Sequence, residues 1–224
     1  IMFPSRRAQL FFTDALSRLT DTPIWQPQFE TIDRLMTSIA GIEHGERVRL
    51  ITELYNVYRE FHKDEKFDKF YFWGEMLLND FDAIDKYMID ADMLFANISD
   101  IKQLESDLSY ITERQWEVIT RFWSVLNDDK DPSEHKRRFL KIWNTLCPVY
   151  HRFRERLHEL GIGYGGMIQR EAVERIEAPD FELDDDGAQY VVAGFNALSK
   201  CEKRLFDYLA VNRTTDFYWD YDRY

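Results

Sequence analysis

Apolar side chains recur along most of the chain at the three- and four-residue spacing of an amphipathic helix. Near the N-terminus, the predicted apolar face consists of Leu10, Phe11, Ala15 and Leu19. In "GERVRLITELYNVYREFHK" the face consists of Val48, Ile51, Leu54, Tyr55 and Tyr58. In "KFDKFYFWGEMLLNDFDAIDKYM" it consists of Phe70, Trp73, Met76, Leu77 and Phe81. The pattern predicts a chain in which helices dominate.

Strand patterns occur near the two ends of the chain, at residues 1–3, 190–193 and 216–219. The stretch "AQYVVAGFNALSKCEKRLFDYL", residues 188–209, predicts a short apolar strand, an Ala-Gly turn and an amphipathic helix. A strand–helix–strand order predicts parallel pairing through a right-handed crossover. We therefore expect a mainly helical α/β chain whose ends meet in one small parallel sheet.

Composition and charge narrow the class of protein. The chain has 224 residues, of which 45% are hydrophobic and 16% aromatic, so it can bury a sizeable core. It contains no long uncharged apolar run and no secretory signal pattern, so we expect a cytoplasmic protein without a membrane span. The net charge of −12 weighs against a free-standing nucleic-acid binder but leaves room for a local basic groove.

The order of several short patterns resembles superfamily 1 DNA helicases. "IMFPSRRA" is similar to an early block of that family, in which an apolar strand runs into a helix, and "QFETIDRLM" is similar to the next block. "YVVAGFNALSKCEKRLFDYL" resembles the Walker B block, and "DFYWDYDRY" resembles the block after it. The resemblance implies a partial P-loop helicase-like domain at residues 1–42 and 181–224, with a helical subdomain inserted at 43–180.

The resemblance is greatest to AddB-like helicase–nucleases of the Bacteroidetes type, whose helicase half is often degenerate. "AGFNALSKCEKRLF" and "GGMIQREAVERI" carry this likeness. It implies a piece cut from a longer protein, with a PD-(D/E)XK nuclease domain downstream. It also implies partners, namely single-stranded or duplex-end DNA, the other domains of the parent chain and a helicase partner subunit.

The chain departs from an active motor at the Walker B block. In that family an Asp and a Glu follow the strand, where they support Mg²⁺ and polarise the attacking water. Ala193 and Gly194 stand at these positions, and neither carries a polar side chain. The chain also lacks a Walker A phosphate loop. The resemblance therefore implies a segment without ATPase or nuclease activity, and we expect no cofactor in it.

Two groups of residues are candidates for contact with nucleic acid. Ser5, Arg6 and Arg7 would bring free amides and two guanidiniums together at a strand-to-helix turn, and Thr31 is placed similarly. The alternatives are an exposed helix N-terminus for the first three residues and an ordinary helix cap for Thr31. The second group is Arg137 and Arg138.

Arg137 and Arg138 belong to "KRRFLKIWNTLCPVYHRFRER", residues 136–156, where basic and aromatic residues alternate. Such a mixture suits single-stranded nucleic acid, because bases stack on aromatics and guanidiniums bind phosphate. The alternative is an amphipathic helix with buried aromatics and solvated arginines.

Metal chemistry has weaker support in the sequence. Asp80, Asp82 and Asp85 do not share one helical face, so we predict a solvated acidic surface there. The histidines form no pair at metal-ligand spacing, and the two cysteines suggest no metal knuckle. We therefore predict no metal site.

These observations predict a non-catalytic DNA-handling and scaffolding segment of a bacterial helicase–nuclease that processes DNA ends for recombinational repair. The alternative is a helical protein-interaction scaffold with no nucleic-acid role. DNA binding that weakens steeply with salt separates the two.

Overall fold

The computed structural model describes residues 1–95 and 132–219, without the side chains of residues 132–141, 143 and 144. Its helices are α1 (Arg6–Leu19), α2 (Ile32–Ala40), α3 (Arg47–Phe61), α4 (Phe67–Lys86), α5 (Pro132–Leu160), α6 (Gly165–Ile176) and α7 (Lys200–Asn212). Its strands are β1 (Met2–Phe3), β2 (Glu30–Thr31), β3 (Glu43–His44), β4 (Ile162–Gly163), β5 (Tyr190–Phe195) and β6 (Thr215–Trp219). The fold is thus α/β and mostly helical, as predicted.

One sheet has four strands in the order β2–β1–β5–β6, and each neighbouring pair is parallel. Met2 in β1 pairs with Glu30 in β2 and with Val192 in β5. The predicted parallel sheet formed from the two ends of the chain is confirmed. β2 is an addition that the sequence does not predict, because a strand of two residues is too short to show alternation.

β5 contains a β-bulge at Gly194. Ala193 pairs with Tyr218 and Phe195 pairs with Trp219, so Gly194 is the extra residue between them. Its φ of 80° lies in the left-handed region that favours glycine. The predicted end of this strand at Ala193 is therefore wrong. The glycine bends the strand, and the strand continues to Phe195.

Helix α1 does not bury the apolar face that its sequence pattern predicts. Leu10 and Phe11 are each 70% exposed, and Leu19 is 82% exposed. The helix instead rests on Phe12, whose ring lies 5.5 Å from that of Phe3 and 5.9 Å from that of Phe29. Helical spacing identifies an apolar face, but only the neighbouring elements decide whether that face is covered.

The chain divides into two compact units. The first comprises Ile1–Gly45, Asp82–Met88 and Leu160–Tyr224, and the second comprises Glu46–Phe81 and Ile89–Glu159. The first unit holds the four-stranded sheet and a second sheet, in which β3 pairs in parallel with β4. Helix α6 packs against α2 within this unit. The predicted identity of residues 1–42, 43–180 and 181–224 as helicase subdomains stays a prediction.

The core of the second unit differs in detail from the predicted helical faces. Val48 is 60% exposed and Met76 is 47% exposed, so these two residues of the predicted apolar faces do not belong to the buried sides of their helices. The buried residues of α3 are Leu50, Ile51, Leu54, Val57 and Tyr58. The buried stripe is rotated away from Val48, and it faces neighbours that the sequence pattern alone does not locate.

Residues 177–189, between α6 and β5, form an acidic connector, and Asp185 links it to Arg213 and Tyr190. The side chain is only 9% exposed, and Arg213 Nε donates to Asp185 Oδ2 at 2.8 Å. Tyr190 Oη and the Gly187 amide also donate to this carboxylate. Burial opposes ionisation, but these three donors outweigh it and hold the pKa of Asp185 below its usual value.

Asp185→Asn is expected to lower the free energy of unfolding at pH 7 by about 1–3 kcal/mol, because it removes a charged hydrogen-bond acceptor from a buried site. The pKa of Asp185 is lower in the folded state than in the unfolded state, where it is near 3.8. The ionised carboxylate therefore stabilises the fold at pH values above 3.8, and this stabilisation is lost as the pH falls through the folded-state pKa. Urea unfolding of the parent protein and of the Asp185→Asn variant between pH 7 and about pH 2.5 tests this. The difference between their free energies of unfolding should shrink in acid. Asp184→Asn at the exposed neighbouring position is the control. A difference for Asp185→Asn that is constant with pH would contradict the prediction.

Candidate functional site

The carboxyl ends of β1 and β5 open at one edge of the parallel sheet. β1 ends at Phe3 and leads through Pro4 and Ser5 into α1. A Cβ atom built on Gly194 would lie 3.9 Å from Pro4 Cδ, so the exits of the two strands are neighbours. Ligands of open α/β sheets bind outside this edge, so the residues at the exits of β1 and β5 form the candidate site.

Ser5, Arg6 and Arg7 are exposed at this edge. Ser5 is the N-cap of α1 and makes no side-chain cap hydrogen bond, and the first turn contains no acidic residue. Within residues 1–95 and 132–219, neither arginine forms an ion pair with a carboxylate. Free backbone amides and two uncompensated guanidiniums therefore meet at one helix N-terminus, an arrangement that attracts phosphate.

Thr31 uses its hydroxyl group to cap α2. Its Oγ1 accepts from the Arg34 amide at 3.3 Å, and its backbone is extended as expected for an N-cap. This is the helix-cap alternative given by the sequence. Thr31 also lies beside Phe3 in the sheet register, so it is close to the Ser5–Arg7 turn. A contact of Thr31 with phosphate stays a prediction.

No acid follows β5 at the positions expected of a motor. Ala193 and Gly194 both lie within the strand, and the bulge exposes Gly194 to solvent. Glu202, in the first turn of α7, is used in a capping box with Ser199, whose amide donates to Glu202 Oε2 at 2.7 Å. This end of the strand therefore offers no carboxylate for a magnesium ion or for activating water.

The second half of the basic stretch in α5 is neutralised by acids. Arg156 Nε lies 3.1 Å from Glu53 Oε2, and Arg152 Nη1 lies 3.2 Å from Glu155 Oε2. Tyr150 and Phe153 are buried, which agrees with the amphipathic-helix alternative for this half. The side chains of Arg137 and Arg138 lie outside the described residues, so their proposed contact with nucleic acid stays a prediction.

Asp82 and Asp85 are not part of a solvated acidic face. Asp82 accepts from the Gly166 amide at 2.6 Å and pairs with Lys86. Asp85 is fully buried, with Tyr164 Oη and Arg170 as hydrogen-bond donors. The prediction of a solvated surface is wrong for Asp85, because tertiary partners bring a guanidinium to the carboxylate.

The structure brings together one cluster that the sequence analysis missed. Asp92 Oδ1 accepts from Cys147 Sγ at 3.2 Å and lies 3.0 Å from His151 Nε2, and all three side chains belong to the second unit. Cys147 and His151 are four residues apart on α5, a spacing that marks one helical face. Asp92, which completes the cluster, lies 55 positions before Cys147, so no local pattern in the sequence connects the three residues.

No protein-family model, curated protein or solved structure matches this chain. The resemblance to AddB-like helicase–nucleases therefore stays a prediction. Within the part of the chain that the structure describes, every helix is too short or too polar to span a lipid bilayer.

Proposed function

We propose that this chain is a non-catalytic DNA-handling and scaffolding segment of a bacterial helicase–nuclease of the AddB-like type, which processes DNA ends for recombinational repair. The observation that supports this most is the exposed Ser5–Arg7 turn at the carboxyl edge of the parallel sheet, beside a β5 strand without acids. Such an edge can hold a phosphate, and among the described residues the end of β5 supplies no carboxylate to hydrolyse one.

In this proposal the DNA backbone binds at the N-terminal turn of α1. The backbone amides after Ser5 donate to one phosphate, and Arg6 and Arg7 neutralise that phosphate or its neighbour. The net charge of −12 repels nucleic acid from most of the surface, so the site is local and its affinity depends on these few cations. Contacts to phosphate carry no base information, so binding is independent of sequence.

Arg6→Ala and Arg7→Ala are each expected to weaken binding of single-stranded DNA. Each change removes one phosphate contact, so the slope of log affinity against log salt should fall by about 1. Fluorescence anisotropy of a labelled oligonucleotide at several salt concentrations measures both quantities.

Arg18→Ala is the matched control for this experiment. Arg18 lies on the same helix but pairs with Asp14 at 2.7 Å, and this acid already offsets its charge. Its replacement should leave the affinity and the salt slope nearly unchanged. Equal effects of Arg18→Ala and Arg6→Ala on DNA affinity would contradict a local site. ATP hydrolysis by the purified chain would contradict the proposal that the segment is non-catalytic.

The second candidate function is a protein-interaction scaffold without a nucleic-acid role, and one observation favours it. Leu10, Phe11 and Leu19 are exposed on α1, and Trp25 in the following segment is 98% exposed. Exposed apolar surface of this kind marks contact sites with other proteins or domains. A chain with this function alone should show no DNA binding at low salt, and Arg6→Ala should then have no effect.

A further inference from the structure

We propose that Asp92, Cys147 and His151 form a binding site for one divalent ion of the zinc type. Each residue offers one ligand atom, and these atoms all lie within 4.8 Å of one another. The site lies wholly in the second unit and is independent of the Ser5–Arg7 turn and of the proposed DNA role. It departs from the sequence-based prediction that the chain has no metal site.

The chemistry of the three ligands selects the class of metal. A thiolate, an imidazole and a carboxylate are a mixed nitrogen, sulfur and oxygen set, which suits zinc with bonds of about 2.0–2.3 Å. Calcium and magnesium prefer ligand sets made only of oxygen. A thiolate and a carboxylate together carry two negative charges, which balance the two positive charges of the ion.

The backbone positions the ligands before any ion binds. Cys147 and His151 are held on one face of α5, and Asp92 comes from a segment 55 positions earlier in the chain. Asp92 Oδ1 already lies 3.2 Å from Cys147 Sγ and 3.0 Å from His151 Nε2. Small side-chain rotations therefore suffice to bring the three ligand atoms around one ion. The bound ion would link α5 to the helical residues 91–95.

Binding exchanges a proton for the metal. The thiol of Cys147 loses its proton to solvent as the sulfur–metal bond forms, and the hydrogen bond to Asp92 is replaced by the oxygen–metal bond. No oxidant or further reactant is required. Asp90 Oδ1 accepts from the Met93 amide at 2.9 Å, so we assign the fourth position of the tetrahedron to water.

The geometry argues against a cysteine nucleophile at the same place. A nucleophilic cysteine needs an imidazole that takes its proton, whereas here the thiol donates to Asp92, and His151 contacts the same oxygen.

Cobalt titration of the purified 224-residue chain tests the site, after treatment with a chelator. Cobalt(II) replaces zinc in such sites, and a cobalt–thiolate bond produces a near-ultraviolet charge-transfer band. We expect binding of one equivalent, with this band present. Zinc should displace the cobalt, and competition with a chromophoric chelator then measures the zinc affinity.

Cys147→Ser is expected to abolish the charge-transfer band, and His151→Gln to lower zinc affinity at least about tenfold. His44→Gln is the matched control, because His44 Nε2 lies 3.1 Å from Asp33 Oδ1 and this pair has no cysteine partner. It should change neither quantity. Cys201→Ala, at the other cysteine, should retain the band.

The side chains of Asp92 and His151 are 76% and 48% exposed, so their replacement should leave the fold intact, and circular dichroism checks this. Asp92→Asn, which keeps the shape of the side chain, gives a third variant if either of the others fails to fold. The proposal is overturned if the chain binds no cobalt, or if cobalt binds without the charge-transfer band. It is also overturned if His44→Gln lowers zinc affinity as much as His151→Gln does.

Discussion

Asp85→Ala is expected to lower the free energy of unfolding by about 3–5 kcal/mol, the range for removal of one partner of a buried ion pair. Asp85 is 0% exposed. Arg170 Nη1 donates to Asp85 Oδ1 at 3.2 Å, and Tyr164 Oη donates to Asp85 Oδ2. Alanine takes the acceptor away from both donors, and the Arg170 side chain, which is only 19% exposed, regains little solvation.

Glu174→Ala is the control for Asp85→Ala, because Glu174 pairs with the same arginine. Arg170 Nε lies 3.0 Å from Glu174 Oε1, but the glutamate side chain is 49% exposed. An exposed helical pair contributes about 0.3–0.5 kcal/mol, so this variant should unfold almost like the parent chain. Urea unfolding followed by circular dichroism measures both variants. If the two variants lost similar amounts of unfolding free energy, burial would not be the reason that the Asp85–Arg170 pair stabilises the fold.

Gly166→Ala is expected to lower the free energy of unfolding by about 3 kcal/mol, at the upper end for overpacking. A Cβ atom at residue 166 would lie 2.2 Å from the backbone oxygen of Asp82. The obstacle is a backbone atom in α4, so no side-chain rotation relieves it. The Gly166 amide also donates to Asp82 Oδ1 at 2.6 Å, and any shift of α6 that relieves the clash stretches this hydrogen bond.

Gly165→Ala separates the clash from the general effect of replacing a glycine. The nearest heavy atom to a Cβ at residue 165 is Asp82 Oδ1, at an ordinary contact distance of 3.4 Å. Alanine in the first turn of α6 restricts the unfolded chain, so the stability should stay the same or rise by up to about 1 kcal/mol. The melting temperatures of Gly165→Ala and Gly166→Ala, measured in the same buffer, show whether the clash or the loss of a glycine sets the stability. Equal melting temperatures would refute the close approach of Gly166 to the backbone of Asp82.

Local signals along the chain predict several elements well. Gly41 ends α2 with a φ of 65°, which glycine tolerates, and Gly161 follows α5 with the same angle. Apolar strand patterns near residues 1–3, 190–193 and 216–219 predict the parallel sheet, because a strand–helix–strand order leaves few ways to pair. In each case the signal lies within a few neighbouring residues.

The candidate DNA site shows both what local signals achieve and where they fail. Arg6 and Arg7 follow a strand and begin a helix, so the sequence already places them at a helix N-terminus. The same sequence does not show that, within residues 1–95 and 132–219, these two charges lack carboxylate partners while Arg152 and Arg156 have several. Ion pairs depend on residues distant in sequence, and no local pattern reports them.

The amino-acid sequence by itself determined the helical character of this protein, the parallel strands near its ends and the lack of acids at Ala193 and Gly194. These properties follow from the spacing and identity of neighbouring residues. Tertiary structure alone decided that Leu10 and Phe11 are exposed, that Asp85 is buried against Arg170, and that Asp92 meets Cys147. The two contacts join residues many positions apart in the sequence. Only the packing of the helices and strands determines which distant side chains share a low-dielectric core and which, like Leu10 and Phe11, remain in water.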